Sequence, residues 1–147
     1  MRLIVQRVIK AKVYKVSSNE VVGQIGKGLF VLLGVKTGDS LKDAEALAEK
    51  LIKLRVMSDE QDKMNLSIKD VGGEILVVSQ FTLYADTSGG NRPSFIKAAL
   101  PDEAKKVYLH FIDKLKKRGI KVATGSFGDY MGIEASLDGP VTIIFDY

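Results

Sequence analysis

A chain of 147 residues, 46% apolar and 27% charged, has the ordinary mix of one globular domain and is long enough to bury a real core. It contains no cysteine, which excludes disulfides, thiolate nucleophiles and cysteine-bound zinc and fits a reducing compartment. The net charge of +4 is unevenly placed: Arg2, Arg7, Lys10, Lys12 and Lys15 share residues 1–16 with no acidic side chain, and Lys114, Lys116, Lys117 and Arg118 form a second basic run. Such runs suit a phosphate backbone, or simple solubility.

In chain order, the first ten residues lack the apolar stretch of a signal peptide, and nowhere do ~18 consecutive apolar residues occur to span a membrane, so the cytoplasm is the expected location. Leu3 to Val16 reads as a long strand through Leu3, Val5, Val8, Ala11 and Val13, with a phase slip around Gln6-Arg7-Val8 that predicts a bulge. Val21 to Ile25 is a short strand, and Leu29 to Val35 an apolar run suited to a buried one. A helix follows, capped by Asp39 or Ser40, with Leu41, Ala44, Leu47, Ala48, Leu51 and Leu54 on one stripe. Ser58 to Asn65 is a polar surface loop; its spaced oxygens lack the glycine and terminal glutamate of an EF-hand.

Glu74 to Phe81 is a second buried strand, and the Gly-rich loop from Ala85 to Pro93 is expected to be mobile. Pro101-Asp102 opens a second helix with Ala104, Val107, Tyr108, Phe111 and Leu115 inward and Gly119 as its stop. Three short strands close the chain around Lys121–Thr124, Ile133–Leu137 and Val141–Phe145, the last two separated by Asp138-Gly139-Pro140. The expected fold is one α/β domain over residues 1–147, with a mainly antiparallel or mixed sheet or barrel and two packing helices.

Neither a Walker-type phosphate loop nor dinucleotide glycine spacing is present. The only histidine, His110, lies in the second helix outside its apolar stripe with no Ser or Cys partner near it in sequence, which argues against a Ser-His-Asp or Cys-His apparatus and excludes a multi-histidine metal site. No metal or other cofactor is expected. The segment Ser79-Gln80-Phe81-Thr82-Leu83, where a buried strand yields two hydroxyls and an amide, reads either as plain strand termination or as a catalytic strand end offering free backbone donors. In the loop beyond it, Arg92 suits a phosphate and Phe95 suits stacking; Gly139-Pro140 by itself reads as a turn.

Together, Ser79-Gln80-Phe81-Thr82-Leu83, Asn91-Arg92-Pro93-Ser94-Phe95 and Asp138-Gly139-Pro140-Val141-Thr142 resemble the D-aminoacyl-tRNA deacylase family. The likeness runs the whole chain, through Gln6-Arg7-Val8, Gly26-Lys27-Gly28-Leu29, Lys63-Met64-Asn65-Leu66 and Thr124-Gly125-Ser126-Phe127-Gly128. It implies a homodimer with active sites at the interface, a pocket floor made by Ser79, Gln80, Phe81 and Thr82, and a cis Gly139-Pro140 reaching into the partner's site. It further implies that Arg7 helps fix that turn and that Phe127 and Met131 lie near the terminal adenosine. Where many members carry Asn two residues before the Gly-Pro glycine, this chain has Leu137.

The implied reaction is hydrolysis of the ester of D-aminoacyl-tRNA, and of glycyl-tRNA, with L-amino acids rejected. Two schemes serve it: attack by the Thr82 hydroxyl, or water activated by the neighbouring ribose 2′-OH while amides near Phe81 and Thr82 polarise the carbonyl. Without a histidine, the hydroxyl is a poor nucleophile. The alternatives are a non-catalytic nucleic-acid-binding module and an editing domain for another misacylated tRNA.

Overall fold

The computed structural model describes residues 1–147. Its spine is β1 (Arg2–Lys15), which pairs antiparallel with β2 (Val21–Ile25) and β3 (Gly28–Gly34) in succession and with β8 (Met131–Asp146) throughout. From β3 the sheet continues in parallel through β6 (Glu74–Ser79) to β7 (Lys121–Thr124). The result is a mixed, nearly closed sheet, β2-β1-β3-β6-β7 with β8 on β1. A separate small hairpin joins β4 (Met57–Ser58) to β5 (Met64–Leu66).

Alternation along the strands feeds two cores. Leu29, Val31 and Leu33 of β3 and Ile75 and Val77 of β6 face the helices, whereas Phe30, Leu76 and Val78 join Val8, Ala11, Val13 and Ile25 on the opposite face. The phase slip in β1 is thereby explained. Leu3 and Val5 enter the helix-side core, and beyond Arg7 the strand supplies the other one.

The helices form where their stripes predict. α1 (Leu41–Ile52) starts at Ser40, whose hydroxyl accepts from the Asp43 amide while the Asp43 carboxylate accepts from the Ser40 amide. Ala44, Leu47, Ala48, Leu51 and Ile52 are buried, but Leu41, in the first turn, is 47% exposed and does not belong to the core stripe. α2 (Pro101–Lys117) buries all five expected residues and adds Ile112.

Three expectations need correction. The two final strands are one: β8 stays on β1 from end to end, and the register jumps from Leu137 opposite Val8 to Thr142 opposite Gln6, leaving residues 138–141 out of the ladder. The ladder is irregular on both strands: residues 138–141 leave β8 opposite Arg7, and Ile9 is an extra residue on β1 between Val8 and Lys10, beside the expected slip. Phe81 does not end a strand; β6 stops at Ser79, and Phe81–Tyr84 form a 3-10 turn. Ser58 to Asn65 contains a strand pair rather than only a loop. The Gly-rich loop is pinned at its base, where Asp86 and Ser94 exchange two backbone hydrogen bonds of 2.8 Å and the Asp86 carboxylate meets Lys97 at 2.8 Å.

Candidate active site

The last rung of β6 is the Gln80 amide donating to the Leu33 carbonyl at 2.8 Å. The chain then tightens into the 3-10 turn, where the Leu83 amide donates to the Gln80 carbonyl and the Ala85 amide to that of Thr82. The N–H groups of Phe81 and Thr82 head this turn and have no acceptor within it. The Gln80 side-chain amide donates to the Thr82 hydroxyl, and Phe81 meets Phe95 edge to face, with centroids 5.1 Å apart.

This strand end borders a mainly apolar cavity of about 740 Å³. Ser79, Gln80 and Phe81 form one wall, Phe127 and Met131 a second, and Leu100, Pro101 and Ala104 at the start of α2 a third. The walls meet because β7 lies parallel to β6 and the chain leaves it with the Gly125 amide on the Val77 carbonyl at 3.1 Å. Phe127 packs on Tyr108 at 5.7 Å, and the Met131 sulfur accepts from the Ser126 amide at 3.2 Å. Asp129 braces this loop from Ser126 Oγ at 2.5 Å and Lys15 at 3.1 Å. Those partners, Ser126 foremost, hold its carboxyl below the usual range. The α2 wall is the part that sequence reasoning missed; the Pro101 helix start was the available signal.

Thr82 does not line this cavity, nor do Arg7, Gly139 and Pro140. Ser79 is level with Leu3 through Leu33, whereas residues 138–141 stand opposite Arg7. That is four positions along β1, roughly 13 Å. The Gly139–Pro140 peptide is cis, and Gly139 adopts φ +126°, a region that favours glycine. The turn is exposed. Arg7, itself only 9% exposed, ties its base down: Nε donates to the Asp138 carbonyl at 3.2 Å and stands 3.1 Å from its carboxylate.

The basic runs are not bare. Arg2 pairs with Asp146, Lys12 with Glu134 and Lys15 with Asp129, so β8 and the turn that leads into it supply the acids that β1 lacks. In α2 and at its C-cap, Lys114 meets Glu45, Lys117 meets Asp113 and Arg118 meets Glu49, while His110 Nε2 lies 2.8 Å from Glu45. No three His, Cys, Asp or Glu side chains are grouped to hold a metal ion, and no helix is long and apolar enough to cross a membrane.

The site is thus an apolar cavity bounded on one side by a strand end that carries a hydroxyl and a carboxamide, with no histidine among its lining residues, the form of a small-molecule pocket. A family model described as D-Tyr-tRNA(Tyr) deacylase matches residues 4–146. D-aminoacyl-tRNA deacylases from Dehalococcoides mccartyi and Bacillus licheniformis are 56% and 52% identical over 146 residues, which is 99% of this chain and 94% and 98% of theirs. The solved c-Myc DNA unwinding element binding protein superposes with a TM-score of 0.93 at 39% identity, covering 100% of this chain and 99% of that one. A structure described as a probable eukaryotic D-amino acid tRNA deacylase shares the fold, with a TM-score of 0.84 at 17% identity over 99% and 98% of the two chains. The chain belongs to the D-Tyr-tRNA(Tyr) deacylase family.

Proposed function

We propose that this protein hydrolyses the ester between a D-amino acid and the terminal ribose of tRNA. Water adds to the ester carbonyl, the bond to the ribose oxygen breaks, the ribose oxygen takes a proton, and free tRNA and D-amino acid leave. The observation that carries this reading is the Ser79–Phe81 strand end, opening onto an apolar cavity in a chain of this family. The Phe81 amide, free at the head of its turn and on the cavity wall, suits an oxyanion; one such donor is worth roughly 2.7–4 kcal/mol. Phe127 and Met131 suit the terminal adenosine.

The Thr82 hydroxyl accepts a hydrogen bond from the Gln80 amide, and no imidazole or carboxylate is bonded to it to take its proton. This favours water assisted by the ribose 2′-OH over attack by Thr82. Selection of the D form is assigned to the Gly139–Pro140 turn, whose backbone fills the space into which an L side chain projects. Glycine offers nothing to reject, so glycyl-tRNA is a substrate as well.

One chain keeps that turn away from its own cavity, which supports a homodimer in which it enters the partner's site. The free edge of β8, with exposed Ile133, Leu137 and Ile144, is a surface suited to a second copy. Leu137, in place of the family's usual Asn, leaves Arg7 to hold the turn. The protein acts in the cytoplasm.

The test compares D-tyrosyl-, L-tyrosyl- and glycyl-tRNA, alongside Thr82→Ala and a tRNA ending in 2′-deoxyadenosine. D-tyrosyl- and glycyl-tRNA are cleaved, L-tyrosyl-tRNA is spared, the mutant stays active and the deoxy substrate resists. Near-normal cleavage of the deoxy substrate sinks the RNA-assisted scheme. Binding of tRNA without any turnover, weakening steeply with salt, points instead to a non-catalytic nucleic-acid-binding module.

A further inference from the structure

Arg7 sits at a helix-facing position of β1, beyond Leu3 and Val5, where an apolar side chain would enter the core. A guanidinium nine-tenths buried needs fixed partners, because an unpaired buried charge is costly. Half of its partners belong to the turn, the Asp138 carbonyl and carboxylate. The other half lie where no function has been assigned. Arg7 Nη1 donates to the Val56 carbonyl at 2.9 Å and to Ser58 Oγ at 3.2 Å, at the foot of the β4–β5 hairpin.

That hairpin is clasped from within. The Asp59 carboxylate accepts from the Gln61 amide at 2.9 Å, the Lys63 amide at 3.0 Å and the Asn65 side chain at 2.7 Å. Arg55 closes the far side, donating to the Asn65 carbonyl at 2.6 Å and to its side-chain oxygen at 3.3 Å. Asn65 first, then the two amides, hold the Asp59 carboxyl below its usual range, so the clasp is ionised at neutral pH. The spaced oxygens of residues 58–65 thus serve one another and the hairpin.

We propose that Ser58, backed by the Asp59–Asn65 clasp, is a positioning residue that orients the Gly139–Pro140 turn through Arg7 and so sets the stereochemical selectivity of the pocket that the turn serves. The guanidinium is a rigid plane, and holding Nη1 at the hairpin fixes the direction in which Nε holds Asp138, the residue before Gly139. With Ser58 gone, the Val56 carbonyl is the only remaining hairpin acceptor and the plane can pivot about it. Selectivity by steric exclusion is sensitive to such a pivot, since misplacement of ~1 Å can change rates by as much as ~100-fold. This inference rests on the deacylase reading above.

The experiment measures kcat/KM on D- and L-tyrosyl-tRNA for wild type, Ser58→Ala, Ser58→Thr and Asp59→Asn, with Tm for each. Ser58→Ala is expected to lower the D-to-L ratio about tenfold, equivalent to ~1.4 kcal/mol, while D-tyrosyl-tRNA turnover changes less than about threefold. Ser58→Thr keeps the hydroxyl and restores the ratio; Asp59→Asn, which turns an acceptor into a donor inside the clasp, lowers it again. An unchanged ratio in active, folded Ser58→Ala, or an equal loss on both substrates, overturns the proposal and leaves the deacylase reading intact. A wild-type protein that cleaves neither substrate defeats that reading, and this inference with it.

Discussion

Two buried tyrosines carry the same substituent in opposite circumstances, and their Phe variants are expected to move stability in opposite directions. Tyr108 is 2% exposed and its hydroxyl donates to the Val77 carbonyl at 2.9 Å. Tyr84 is 7% exposed and its hydroxyl is buried without a partner. In Tyr108→Phe the Val77 carbonyl keeps the Gly125 amide, so no acceptor is orphaned and only the net value of one hydrogen bond is lost, about 1 kcal/mol. For a domain of this size that lowers Tm by roughly 2–4 °C. Tyr84→Phe removes an unsatisfied hydroxyl, while the Arg2 guanidinium 5.2 Å above the ring centroid keeps its aromatic neighbour. The expected result is no loss, or a gain of about 1 kcal/mol. Urea unfolding at pH 7 separates the two. Burial also pushes both phenols up, Tyr84 to about 12. Each therefore ionises more readily in the unfolded chain, so the stability tied to the neutral phenols is complete below pH ~10 and drains as pH rises beyond it. Each Phe variant should lose less on that alkaline limb. If Tyr84→Phe proves as destabilising as Tyr108→Phe, the Tyr84 hydroxyl is satisfied and the reasoning fails.

A Cβ on Gly28 would stand 1.9 Å from the Glu74 carbonyl oxygen, backbone against backbone, so Gly28→Ala should cost about 3 kcal/mol or more by forcing β3 from β6. Gly26→Ala, whose nearest neighbour is the tip of Glu74 at 3.9 Å, should stay within about 0.5 kcal/mol; comparing the two Tm values checks the pair. On the acid side, the Ser40 amide holds the Asp43 carboxyl low, the Asn65 side chain that of Asp59, and the Ser67 hydroxyl that of Asp70. Depressed folded values mean that this contribution is whole above the unfolded carboxylate range and is lost as pH falls through the folded values. Tm should thus be flat from pH 7 to 5 and fall below pH ~4; a decline already complete at pH 5 would contradict it.

Much of the fold is legible in short windows of sequence. The stripes of α1 and α2, the capping pair Ser40 and Asp43, and the apolar runs of β3 and β6 each express a local period that needs no distant partner. Part of the site is equally local. Ser79, Gln80 and Phe81 stand where a buried strand must stop, and Phe127 and Met131 lie four residues apart where a turn enters β8. What the windows misread has a common cause. Ile133–Leu137 and Val141–Phe145 look like two strands because residues 138–141 break the pattern, yet β1 pairs across the break and makes them one. Lys12 and Lys15 look like a cationic strip until β8 and the turn before it bring Glu134 and Asp129 beside them. The resemblance ties Arg7 to the turn, and only the tertiary structure shows its second hold, on the Val56 carbonyl and Ser58, which lets a charge occupy that place. The sequence by itself determined both helices, the buried strands β3 and β6 and the Gly139–Pro140 turn, because periodicity and turn chemistry act between near neighbours. The tertiary structure decided strand continuity, charge pairing and the distance between turn and cavity, because each depends on residues that meet only when the sheet closes.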